Sequence, residues 1–222
     1  MLTRLMTVAI VGLLALAGGT AHAIERVTIG NAKVVVKTVT GTLEVDRRLI
    51  KLLDDIYHNE LIETGDKSAT EFVFLDETQL AVGPNSSLVL DRFVYDPEPG
   101  KASFVITVTA GVFRFVSGNL PKASYEIHTP TAMIGIRGTV FSIVVIPADS
   151  DREGAAPIVN VTVEQGVAEI TNCGGERVVL VRSGQSTTIS GTAGGTCSAP
   201  TLPGPQPSIF ATLVSESGVG VR

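Results

Sequence analysis

Several groups of residues in this 222-residue sequence have types that could do chemistry. Nucleophilic hydrolysis needs a Ser or Cys beside a His and an acid. After the apolar N-terminal stretch the histidines are His58 and His128, and no G-x-S-x-G elbow is present. His128 precedes Thr129-Pro130 in a strand-like stretch and reads as a satisfied edge-strand side chain. Paired carboxylates could cleave a glycosidic bond. The densest acids are Asp54-Asp55 and the group Asp149, Asp151 and Glu153. Adjacent acids alternate faces in a strand, and both groups sit at expected turns, so they read as solvated loop charge. The stretch D-S-D-R-E-G from Asp149 matches the front of a calcium loop, with acids at positions one, three and five and glycine at six. Position twelve is Asn160 rather than the closing glutamate, so Asp149, Asp151 and Glu153 are a weak calcium candidate. There is no P-loop, dinucleotide fingerprint, zinc spacing or haem motif. The residues therefore predict no metal, no cofactor and no enzyme.

The remaining candidate is Arg137, in "GIRGT". A charge and two glycines just before the β-branched run at residues 140–145 are unexpected in a strand. Gly135, Gly138 and Thr139 are read as a structural turn or bulge between strands at residues 132–134 and 140–145. Arg137 on that turn has five donors that could tie neighbouring carbonyls or a carboxylate across adjacent layers, or bind a ligand. The structural role is the preferred reading, because no other candidate lies near it in sequence. Asp76 and Thr78 in "LDETQL" read as turn residues bonding to hairpin backbone.

The elements that must hold these residues follow from period-two patterns. Residues 71–74, 79–82, 103–108, 112–115 and 160–163 read as short strands. Turn residues at 63–66, 83–87, 96–100, 117–121, 164–166 and 183–186 separate them. The pattern predicts an all-β fold, a roll or sandwich of many short strands with solenoid-like stacking, plus an irregular C-terminal tail. Phe72/Phe74 and Phe113/Phe115 each point to one face. With no Trp and 5% aromatics, core filling is preferred over a sugar-stacking platform. One segment is ambiguous: Leu49, Leu52, Leu53 and Ile56 fit a short helix or a strand pair.

Residues 1–23 read as a cleavable signal peptide: Arg4, an apolar run at residues 5–16 and an A-x-A site at Ala21 and Ala23. No later hydrophobic stretch is long enough for a membrane helix. The whole chain has a net charge of −5, and Arg4 is the one charge before Ile24, so the remainder carries −6. That argues against nucleic acid or an anionic membrane as a partner. Cys173 and Cys197, the two cysteines, most simply form a disulfide in an oxidising compartment. Free thiols or a metal are the alternatives.

The stretches "FVFLDETQLAVGPNSSLVLDRFVYDP" (72–97), "GVFRFVSG" (111–118), "IHTPTAMIGIRGTVFSI" (127–143) and "VTVEQGVAEI" (161–170), in this order, resemble a FecR domain. The resemblance covers about residues 60–185. It implies an all-β exported domain and favours strands around Ile56. The best-known family members add a cytoplasmic anti-sigma region, a membrane helix and a receptor-docking part. Here a signal peptide and a Pro/Gly-rich tail stand in those places, so the anti-sigma function is not carried over. The expected organisation is 1–23 signal peptide, 24–190 FecR-like domain and 191–222 tail. The expected function is a non-catalytic binding or scaffold module, periplasmic or secreted. Its partner would be an envelope protein or a cell-wall polysaccharide. The alternatives are a soluble periplasmic relay in receptor-linked transcriptional signalling and, less favoured, a polysaccharide-active enzyme.

Overall fold

The structure is a computed structural model that describes residues 26–94, 102–149, 155–175, 178–191, 196–201 and 204–205. The expected signal peptide, the turn at 96–100, Asp151, Glu153 and most of the tail lie outside these residues. The strands in chain order are β1 (Thr28–Val36), β2 (Val39–Leu43), β3 (Asp46–Leu49), β4 (Asp55–Tyr57), β5 (Leu61–Thr64), β6 (Ala69–Phe74), β7 (Gln79–Val82), β8 (Ser87–Val94), β9 (Ser103–Val116), β10 (Tyr125–His128), β11 (Ala132–Ile146), β12 (Ile158–Asn172), β13 (Val178–Arg182), β14 (Gln185–Ser190) and β15 (Gly204–Pro205). A 3-10 turn at Lys122–Ser124 is the one helical piece among the described residues. The fold is all-β.

All the strands join in one hydrogen-bonded sheet. Strands β9, β11 and β12, of 14, 15 and 15 residues, change partners half-way along. The first part of β9 pairs β8 and β10, and its second part pairs β7 and β11. The first part of β11 pairs β10, and its second part pairs β9. The first part of β12 pairs β14, and its second part pairs β13. Each long strand has a positive-φ glycine where the partners change: Gly111 at +108°, Gly138 at +70° and Gly166 at +86°. An L-residue meets its own Cβ in that region, so glycine is favoured there. Gly111 is needed twice over, because a Cβ there would fall 2.5 Å from the Ser86 Cα.

The bends fold the sheet over itself. One layer runs β4-β1-β6-β7, then the second parts of β9 and β11, the first part of β12, and β14-β15. The other runs β3-β2-β5-β8, the first part of β9, β10, the first part of β11, the second part of β12, and β13. Side chains facing inward from both layers form one core. Phe74 meets Phe104 edge-on across it at 4.8 Å, and Phe104 meets Phe115 at 5.5 Å. Such pairs add about 0.5–1.5 kcal/mol each beyond their buried area.

Several expectations change here. The segments at 103–108 and 112–115 are one strand, and the turn expected at 164–166 is a bend inside β12. Likewise the stretch with Gly135, Gly138 and Thr139 is the bulge of the two alternatives, inside one strand, and not a turn between two strands. All three lie within β11, and the register with β12 shifts between Arg137 and Val140. Gly138 makes the bend. Gly135 has no left-handed φ, and a Cβ there would meet Glu169 at an ordinary 3.8 Å. The side chain of Thr139 lies outside the described residues. The ambiguous segment forms strands β3 and β4, which pair with β2 and β1 rather than each other. His128 is not on an edge: β10 lies between β9 and β11.

Candidate functional site

Two buried polar latches hold the layers in place. In the first, the Asp76 carboxylate accepts from Thr78 N at 3.1 Å, Thr78 Oγ1 at 2.7 Å and Tyr125 Oη at 2.6 Å. Leu120 N donates to Tyr125 Oη at 3.1 Å, and Gly118 N donates to Thr78 Oγ1 at 3.1 Å. Asp76, Thr78 and Tyr125 are all buried. Burial, then the hydrogen bond to Asp76, pushes the Tyr125 phenol upward, so it stays a neutral donor. The turn reading of Asp76 and Thr78 is right for Thr78 N, but nothing local marks their partner Tyr125, 49 residues away.

In the second latch, fully buried Glu60 accepts from Arg48 Nε at 3.0 Å and from Tyr57 N at 2.9 Å. Burial raises its pKa, against the opposing pull of the Tyr57 amide and Arg48. This residue is not among the sequence candidates, although period two could have found it, since Glu60, Ile62 and Thr64 share the inward face.

The outward face of the second layer carries the candidate site. Residues opposite each other in register share a face. One row crosses β8 to β13 as Arg92–Val105–Glu126–Gly135–Glu169–Leu180. A parallel row is Arg137–Val167–Arg182, and another is Thr107–His128–Met133–Thr171. Shallow depressions follow these rows. One of about 230 Å³ lies over Gly135, between Glu126, Met133, Arg137, Glu169 and Thr171. A second, of about 590 Å³, lies between Arg137, Glu169, Leu180 and Arg182. A third, of about 280 Å³, lies between Asp91, Arg92, Thr107, Glu126 and His128. Because Gly135 has no side chain, it leaves a gap between the side chains of Glu126 and Glu169 on either side.

Charge on this face is partly matched. Arg137 donates to Glu169 Oε2 through Nη2 at 2.8 Å and Nε at 3.2 Å, with its side chain 69% exposed. It ties a carboxylate on the neighbouring strand of the same layer, not a group in the other layer. His128 Nε2 contacts Glu126. Asp91 lines the third depression, and its Oδ2 is buried with no hydrogen-bond partner among the described residues. Sequence proximity missed this grouping, because Glu126, Arg137, Glu169 and Arg182 meet only through strand register.

The other candidates stay apart. Asp54 accepts from Lys51 N at 2.8 Å in a turn and pairs with Arg48 at 3.5 Å. His58 follows β4, and His128 is in β10. Asp149 follows β11, while its partners in the calcium candidate fall outside the described residues. Among the described residues no three His, Cys, Asp or Glu side chains gather as a metal site. Cys173 and Cys197 are joined in a disulfide. Among the described residues no helix is long and apolar enough to cross a membrane.

No curated protein matches the chain. Two crystal structures of a candidate anti-sigma factor from Parabacteroides distasonis are similar to it, at 14% identity with a TM-score of 0.47 and at 15% with 0.46. Each match covers 68% of this chain and 62% of the other, so less than two thirds of that protein is spanned. A family model described as FecR protein matches residues 60–169. That span runs from the buried Glu60 through Arg137 to Glu169 and includes the bends at Gly111, Gly138 and Gly166; over these residues the chain carries a FecR domain.

Proposed function

We propose that this chain is an exported, non-catalytic binding module of the cell envelope. Residues 24–190 would form its domain, between a cleavable leader at 1–23 and a tail at 191–222, and the outward face of β8 to β13 would receive the partner. The gap at Gly135 between Glu126 and Glu169 carries the reading. It lies in the depression of about 230 Å³, which shares Arg137 and Glu169 with the neighbouring depression of about 590 Å³, so polar and apolar side chains of several strands would face a polymer or a protein loop laid across them. The disulfide supports an oxidising compartment, periplasmic or extracellular. Arg137 is exposed, His128 is half-buried, and both are engaged with carboxylates, which suits recognition better than proton transfer in a dry pocket. The partner is an envelope protein or a cell-wall polysaccharide.

The test uses Gly135→Gln. Backbone and space both accept a side chain there, so the variant fills the gap without unfolding the sheet. Pull-down from envelope extract and sedimentation with purified cell-wall polymer should return a partner with the wild type and lose it with the variant, at equal melting temperature. Equal capture by both proteins contradicts the proposal. The FecR family match favours a second reading, a soluble relay in transcriptional signalling. It requires that deletion change the transcripts of a regulon, and an unchanged transcriptome removes it.

A further inference from the structure

Sheet edges attract other strands, and proteins blunt them with short strands, charges, prolines or covers. Among the described residues the folded sheet ends at β4, β15, β3 and β13. Strand β4 has 3 residues, and β15 has 2, one of them Pro205. The β14 edge behind β15 is covered by residues 197–201, with Ser198 N donating to Ser190 O at 2.7 Å and Thr201 N to Thr188 O at 3.0 Å. Strand β3 reads Asp-Arg-Arg-Leu and is charged along its length. The least guarded is β13, Val-Val-Leu-Val-Arg, which pairs with β12 on one side and has its one charge, Arg182, at its end, where Arg182 N donates to Gln185 Oε1 at 2.9 Å.

The surface beside this edge indicates what it would take. Arg182 stands opposite Val167, and Val167 stands opposite Arg137. The two arginines are thus on one face, two strand spacings or about 10 Å apart. Arg137 is paired with Glu169, whereas the Arg182 side chain has no partner among the described residues. Leu180, 46% exposed, stands opposite Glu169 and lies two residues from Arg182 on the same face. The depression of about 590 Å³ runs between them. Leu180 and Arg182 fall beyond the residues of the FecR match.

We propose that β13 is a strand-addition site for an extended peptide segment of a partner protein. The segment carries an acidic side chain opposite Arg182 and an apolar one opposite Leu180, two residues away. Backbone hydrogen bonds would supply affinity, and the alternate side chains specificity. The site rests on the proposed binding role and names the partner as a protein strand rather than a polysaccharide.

The experiment titrates the full-length protein with two seven-residue peptides that alternate valine and threonine. One carries a glutamate two positions from a valine, the other a lysine in its place. The glutamate peptide should bind at least tenfold more tightly and slow amide exchange at residues 178–182. Arg182→Glu should reverse the preference. Leu180→Lys should cut binding tenfold or more while leaving the melting temperature unchanged. Gly135→Gln should leave peptide binding within twofold, so failure of the Gly135 gap and failure of the edge are read separately. Equal binding of both peptides, or protection of β3 instead of β13, overturns the proposal. A dimer that Leu180→Lys dissolves would assign the edge to a second copy of the chain and overturn it as well.

Discussion

At the scale of single residues, the charged groups divide into buried ones that hold the fold and exposed ones available to a partner. Glu60, with its half-buried partner Arg48, belongs to the first kind. Burial raises the folded-state pKa of Glu60 above its unfolded value. The folded state therefore binds more protons in that range, and stability from this group falls as pH rises from about 4 through the folded pKa. Arg48 limits that loss. Arg48→Met should destabilise by roughly 3 kcal/mol at pH 7 and by clearly less at pH 4, where Glu60 is closer to neutral, as read from urea unfolding at both pH values. Tyr125→Phe removes a donor from buried Asp76 and the acceptor for Leu120 N. It should cost about 1–3 kcal/mol in the same assay. Arg137 is different, because its exposed ion pair is worth about 0–1 kcal/mol. Arg137→Gln should leave the unfolding midpoint nearly unchanged and still weaken partner capture; a large stability loss with intact capture would return Arg137 to a purely structural role.

At the scale of elements, the fold depends on three bent strands rather than on turns. Gly138→Ala forces an L-residue into the left-handed region and should cost about 1–2 kcal/mol, whereas Gly135→Ala should be nearly neutral, both measured by chemical denaturation. Gly111→Ala should exceed either, because it also drives a Cβ into Ser86. The period-two patterns of β6, β7 and the inner half of β9 were legible in the sequence because each buries one face. The merging of neighbouring patterns into long strands was not. A glycine in an alternating run marks a turn, a bulge or a bend equally well, and its φ decides among them. Register was also hidden: Glu126, Gly135 and Glu169 become neighbours only when β10, β11 and β12 align. The latch of Asp76 with Tyr125 has the same origin, since a buried acid looks like a turn acid until its distant donor is placed. The bond between Cys173 and Cys197, by contrast, was legible from their number together with the expected oxidising compartment.

At the scale of the whole molecule, one folded sheet exposes an outward face and guards most of its edges. The disulfide takes part in that protection. It joins the segment after β12 to the segment that covers β14. Reduction should lower stability by about 3 kcal/mol, as expected for a closed loop of this length, and should speed amide exchange at Thr188 and Ser190; unchanged exchange there would show that the cover holds without the bond. The face from β8 to β13 is the one proposed to meet the partner. Photo-crosslinking in intact cells decides this, from a reactive side chain placed at Met133, on that face, and at Thr162, on the outward face of the other layer. Met133 should attach to a reproducible envelope species that Thr162 does not reach. Attachment from Thr162 alone, or the same species from both positions, would contradict the account.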